Sequence, residues 1–126
     1  MLKDIRHLDY VVLICDDPGR MRRFYQDVFG FEVYRELPEH QWVELRVGSV
    51  LLALRPRWPG EGEHAPGSAS VQLAFRVTPA QVTECFEELR RKNVTITDPP
   101  RDQPWGHRTL FFRDPENNVL EIYADL

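Results

Sequence analysis

The sequence predicts an α+β fold: two tandem βαβββ units forming a curved, barrel-like mixed sheet with a ligand cleft. Three observations carry this expectation. Residues 8–54 run strand, Asp-Pro, amphipathic helix and three short strands, and residues 71–125 run strand, Thr-Pro, amphipathic helix and three short strands. The two helices match in register, since Pro18 to Phe24 has the spacing of Pro79 to Cys85. A segment rich in glycine and proline separates the halves. A duplicated unit of this kind has to bury its sheet faces against each other or against a copy, which curves the sheet around a hollow. The 126 residues are read as one domain, with a first unit over 8–56, a linker over 57–69 and a second unit over 70–126.

The elements follow in order. Residues 8–15 (LDYVVLIC) are apolar and β-branched and read as a strand. Asp16 and Asp17 can cap the next helix, and Pro18 suits its first turn because it has no N–H to leave unpaired. Met21, Phe24, Tyr25, Val28 and Phe29 share one helical face. Gly30 ends that helix where a positive φ is needed. Residues 31–37 form the second strand. Residues 42–47 and 50–54 form a hairpin around Gly48-Ser49.

In the second half, residues 71–77 are the first strand. Thr78 and Gln81 form a capping box, and Val82, Cys85, Phe86 and Leu89 repeat the apolar stripe. Asn93 takes the role of Gly30, because asparagine tolerates the left-handed region. Residues 95–97, 108–113 and 119–125 are the remaining strands, with a turn at Asp114-Pro115-Glu116-Asn117-Asn118.

Composition narrows the function classes. The formal net charge is −4 and the basic residues form no stripe, so nucleic acid is not an expected partner. No stretch approaches the roughly 20 apolar residues of a membrane span. The opening MLKDIRHLDY has no signal-like apolar run, so a cytoplasmic location is expected. Cys15 and Cys85 stand at apolar positions and read as reduced core residues rather than a disulfide.

Two segments carry a resemblance. FYQDVFGFEV (residues 24–33) is similar to the helix-end signature of the vicinal oxygen chelate superfamily, which holds glyoxalase I, bleomycin-binding resistance proteins and extradiol dioxygenases. WGHRTLFFRDPENNVLEIY (residues 105–123) resembles its C-terminal signature: an aromatic-Gly loop, a strand, Asp-Pro with a polar turn, and a strand with an inward glutamate. The resemblance implies the glyoxalase/bleomycin-resistance fold. It also implies a homodimer, with clefts that draw residues from both subunits.

The metal sites of this superfamily take one ligand from the first and fourth strands of each unit. Carried onto this chain, those positions are Tyr10, Leu52, Gln72 and Glu121. Only Glu121 is a standard ligand, and a carboxylate without imidazoles holds a divalent ion weakly. No metal and no cofactor are therefore expected. His7 lies at an odd offset from Tyr10 and points to the opposite face. His40, His64 and His107 read as solvated surface beside loops.

Strand alternation groups Tyr10, Val12 and Ile14; Leu52 and Leu54; Gln72, Ala74 and Arg76; and Glu121 with Tyr123. By the resemblance these are the inward faces of the cup, with Trp42 and Glu44 lining it from the third strand. The expected ligand-binding residues are Tyr10, Trp42, Leu52, Gln72, Arg76, Trp105 and Tyr123. Glu121 is the candidate catalytic residue. As an inward carboxylate it needs a partner, which Arg76, a cationic ligand or a proton would supply. Trp105 beside Gly106 can stack on a planar ligand, close the barrel end or meet another subunit. Trp58 in the linker reads as a lid or an interface.

The resemblance is strongest in character to the metal-free, bleomycin-resistance-like branch. It implies binding and sequestration of a small, partly aromatic or cationic molecule. Two alternatives stay open at this point: a metal-dependent lyase, isomerase or dioxygenase, and metal-free acid–base catalysis with Glu121 as base and Tyr10 as acid.

Overall fold

The computed structural model describes residues 1–65 and 67–126; Pro66, within the expected linker, lies outside the described residues. The chain divides into two units, Met1–Glu63 and His64–Leu126.

In the first unit a short 3-10 turn (Leu2–Asp4) precedes strand β1 (Tyr10–Cys15), helix α1 (Pro18–Phe29), strand β2 (Glu32–Leu37), a second 3-10 turn (Pro38–His40), and strands β3 (Trp42–Val47) and β4 (Val50–Pro56). The sheet order is β1-β4-β3-β2, with β1 parallel to β4 and the other pairs antiparallel. Asp17 caps α1 by accepting the Arg20 N–H at 3.1 Å, and Pro18 occupies its first turn. Gly30 closes the helix at φ 73°, where a Cβ would be strained. Met21 and Tyr25 of α1 are fully buried, as are Cys15, Leu45 and Leu54 of the sheet, with Leu13 and Leu52 nearly so. Each such side chain contributes about 1.5–3 kcal/mol of burial, and this helix-on-sheet layer fixes which strand face is left for a site.

The second unit repeats the plan with β5 (Gln72–Arg76), α2 (Pro79–Arg91), β6 (Ile96–Asp102), β7 (His107–Arg113) and β8 (Val119–Asp125), in the order β5-β8-β7-β6. Strand β5 is parallel to β8. Thr78 and Gln81 form the expected capping box, and Asn93 takes a positive φ of 59°. Val82, Leu89, Leu110, Phe112, Leu120, Ile122 and Ala124 make the core. Both four-stranded sheets are mixed, and both units are βαβββ, as the sequence predicts.

Strand β6 extends beyond its expected end at residue 97 and runs through Pro99 and Pro100. It is an edge strand whose pairing with β7 shifts register between Asp98 and Arg101. Edge position and irregularity are the two conditions under which a strand tolerates proline. Among the described residues no helix is long and apolar enough to cross a membrane.

Candidate functional site

Each sheet has a face that its helix does not cover. In the first unit, alternation puts Tyr10, Val12 and Ile14 of β1 on that face, with Leu51, Ala53 and Arg55 of β4 and Trp42, Glu44 and Arg46 of β3. Tyr10 is 47% exposed and meets Trp42 edge to face, with ring centroids 6.3 Å apart. Glu44 is buried. Its Oε2 accepts the Trp42 indole N–H at 2.7 Å and the Arg35 Nε–H at 2.9 Å. On the flank of Trp42 a hollow of about 240 Å³ opens between Pro18 of α1, Pro38 and Val43. Arg22 and Glu36, which also line it, are ion-paired at 2.5 Å, and Arg22's hydrogen bond holds the Glu36 carboxyl below its ordinary range.

The chain leaving β4 hooks back onto the same face. Arg55 is buried and donates Nη1 to Glu61 Oε1 at 2.7 Å and Nη2 to Oε2 at 2.6 Å. The Trp58 ring lies 3.6 Å from the guanidinium carbon, and the Trp58 N–H donates to Glu61 Oε1 at 2.6 Å. The Arg55 hydrogen bonds, then the Trp58 N–H, lower the Glu61 pKa to about 2.

In the second unit the uncovered face carries Gln72, Ala74 and Arg76 of β5, Val119, Glu121 and Tyr123 of β8, and Thr109 and Phe111 of β7. The Gln72 amide donates to Glu121 Oε1 at 3.1 Å. Arg76 donates Nε to the Tyr123 hydroxyl at 3.2 Å and Nη1 to Asp125 Oδ2 at 2.7 Å. The Tyr123 hydrogen bond, with the Asp125 charge behind it, raises the Arg76 pKa. His107 completes the row: Nε2 lies 3.2 Å from Asp125 Oδ1 and its ring centroid 4.8 Å from that of Tyr123. Trp105, beside Gly106 at φ 93°, is 64% exposed.

These positions correct three sequence-based expectations. Leu52 does not share a face with Tyr10; it stands in register with Val11 and Leu45 on the helix-covered side, and Leu54 with Leu13 and Val43. The ladder pairs Tyr10 with Leu51 and Gln72 with Val119, so the counterpart of Glu121 is Ala53 rather than Leu52. Arg76 is engaged by Tyr123 and Asp125, while Gln72 partners Glu121. His107, expected as solvated surface, is paired with Asp125. Sequence reasoning also missed Asp125 and Arg55. Asp125 lies two residues from Tyr123, so alternation carried further along that strand would have reached it; Arg55 lies three residues from Leu52, so the slip that misplaced Leu52 also put Arg55 on the wrong face.

Residues 7–122 match the family model for the glyoxalase/bleomycin resistance protein/dioxygenase superfamily. The chain is similar to the uncharacterized protein YwkD of Bacillus subtilis, 33% identical over 98% of each chain. Among solved structures it is similar to a glyoxalase/bleomycin resistance protein/dioxygenase from Nocardioides, with TM-score 0.84 and 23% identity over 98% of this chain and 85% of that one. It is also similar to a lactoylglutathione lyase from Agrobacterium tumefaciens, with TM-score 0.78 and 23% identity over 96% and 95%. At those identities the two structures speak for the fold alone. With the family model spanning nearly the whole chain, the protein belongs to the glyoxalase/bleomycin resistance protein/dioxygenase superfamily.

Proposed function

We propose that the chain binds a small, partly aromatic or cationic molecule without a metal, by shape, stacking and a few polar anchors. One observation carries this reading: the four strand positions from which this superfamily draws its metal ligands hold Tyr10 and Ala53 in the first unit and Gln72 and Glu121 in the second. Alanine offers no donor. A neutral phenol and an amide are weak donors for a divalent ion, and the Gln72 amide already donates to Glu121. This donor set does not fit a catalytic divalent metal. Among the described residues no cluster of three or more His, Cys, Asp or Glu side chains is arranged to hold one. Each unit's uncovered face offers aromatic surface beside polar groups instead, Tyr10 and Trp42 with Glu44 in the first and Tyr123 with Gln72, Arg76 and Glu121 in the second, the composition of a small-molecule site.

The test is thermal denaturation of the purified chain with a panel of planar aromatic, cationic and anionic compounds, with and without EDTA. The expected result is a rise in Tm with flat or cationic members that the chelator leaves unchanged. Stabilisation that appears only after zinc, nickel, manganese or iron is added would overturn the reading. So would a panel in which no compound binds. We further infer a cytoplasmic homodimer. The reduced state of Cys15 and Cys85 supports the compartment, and the exposed aromatic side chains support the pairing.

A further inference from the structure

We propose that Glu44 is the anchor of the ligand in the first unit, and that the group it receives is a protonated nitrogen carried on a flat, apolar body, such as an aromatic amidine or amine. This rests on the reading of the chain as a small-molecule binder and assigns the chemistry recognised at one atom.

Glu44 sits on β3, an inner strand of its sheet, and faces away from α1. Its side chain is 7% exposed. A carboxylate so far from water needs its lone pairs met. The distribution of its partners is lopsided: the Trp42 indole and Arg35 both donate to Oε2. Oε1 has no donor among the described residues. No buried side-chain nitrogen or oxygen there is both sealed from solvent and unpartnered, so Oε1 is recessed yet reachable.

The surroundings of Oε1 select what can reach it. Glu44 stands in register with Ala53, and Ala53 with Val12, so two adjacent strands present only a methyl and an isopropyl group at this level. Tyr10 stands one step along the face to one side of this level and Trp42 one step to the other, and their rings meet edge to face across it, with the Tyr10 ring half open to solvent. The result is a strong acceptor set among aromatic and aliphatic side chains, while the two arginines one step away on this face are engaged elsewhere, Arg46 over the Tyr34 ring and Arg55 with Glu61. The Arg35 side chain is 60% exposed and touches Glu44 through Nε alone, at 2.9 Å from Oε2, so it compensates the carboxylate's charge in part and leaves Oε1 without a donor among the described residues. An incoming N–H⁺ gains a charge-assisted hydrogen bond at Oε1 and a ring surface for its body. A carboxylate meets like charge. With Oε2 already taken by two donors, the contact is one N–H to one oxygen rather than a two-pronged fork.

The experiment uses the full chain with benzamidine, its neutral isostere benzamide, and benzoate, by calorimetric titration and by NMR of the indole N–H groups. The Trp42 indole N–H, assigned with Trp42→Phe, reports on Glu44 directly because it is bonded to it. We expect benzamidine to bind at least about tenfold more tightly than benzamide, as for a charge-assisted over a neutral hydrogen bond. It should shift the Trp42 indole resonance, and benzoate should bind weakest. Glu44→Gln should bring benzamidine down to the level of benzamide. Glu39→Gln, which removes an exposed carboxylate in the adjoining 3-10 turn, should keep the preference. Should Glu44→Gln not fold, the Trp42 resonance of the unaltered protein decides. Equal binding of benzamidine and benzamide, a preference that survives Glu44→Gln, or a Trp42 signal that benzamidine leaves in place overturns the proposal. Equal binding leaves the small-molecule reading standing. Absence of binding by these probes and by the wider panel removes both.

Discussion

The Asp114 carboxylate lies buried under the turn joining β7 to β8. It takes three donors from that turn: the Glu116 N–H at 2.9 Å and the Asn118 N–H at 3.0 Å on Oδ1, and the Asn118 side-chain amide at 2.9 Å on Oδ2. Asn117, at φ 67°, turns the chain back into β8, the strand that carries Glu121 and Tyr123. Asp114→Ala strands those donors in a buried place, and we expect a loss of about 1–3 kcal/mol of stability, read as a lower urea midpoint. A midpoint equal to that of the unaltered chain would count against this role. The same scale shows what the sequence disclosed of the site. Alternation groups Tyr10 with its own strand face, Gln72 with Arg76 and Glu121 with Tyr123, because β1, β5 and β8 are regular strands, and the family resemblance says which of the two faces is the uncovered one. The partnerships among them were not legible. Whether Arg76 reaches Glu121 or Asp125 depends on the β5–β8 register and on rotamers, neither of which a period of two can encode.

At the scale of elements, helix boundaries were legible because their chemistry is local: Asp17, the Thr78–Gln81 box, Gly30 and Asn93 each act within one turn of their own position. The hook after β4 was not, since its anchor is a strand residue reached only once the chain has turned back. Its geometry makes a pH prediction. The Glu61 pKa is about 2 in the folded chain against an ordinary 4.5. A carboxyl whose pKa is depressed by folding adds stability that is fully present above its unfolded value and is lost as pH falls through the folded one. The hook should therefore hold above about pH 4.5 and loosen progressively from there toward about pH 2. Trp58 emission, taken as the difference between the chain and Trp58→Phe, should change across that window and be flat in Glu61→Gln. A transition that persists in Glu61→Gln would assign the acid response to another group.

On the scale of the whole molecule, the duplication was legible because the two helices keep one register, and it misled at one point for a physical reason. The β3–β4 turn spans residues 48–49 while the β7–β8 turn spans residues 114–118. Matching the strands at their first residues then slips the faces by one, which put Leu52 where Ala53 stands. The same large-scale view bears on assembly. Tyr10, Ile14, Trp58 and Trp105 are between 37% and 64% exposed. Large aromatic side chains left in water are the usual anchors of a protein interface, and a specific one buries roughly 1,200–2,000 Å² in total. The homodimer proposed above predicts a sedimentation mass of twice the single chain at micromolar concentration. Trp105→Arg combined with Trp58→Arg should shift it toward one chain while far-UV circular dichroism stays unchanged, since neither residue belongs to either core. A single-chain mass for the unaltered protein would overturn the homodimer and leave these aromatics to a ligand or to another partner.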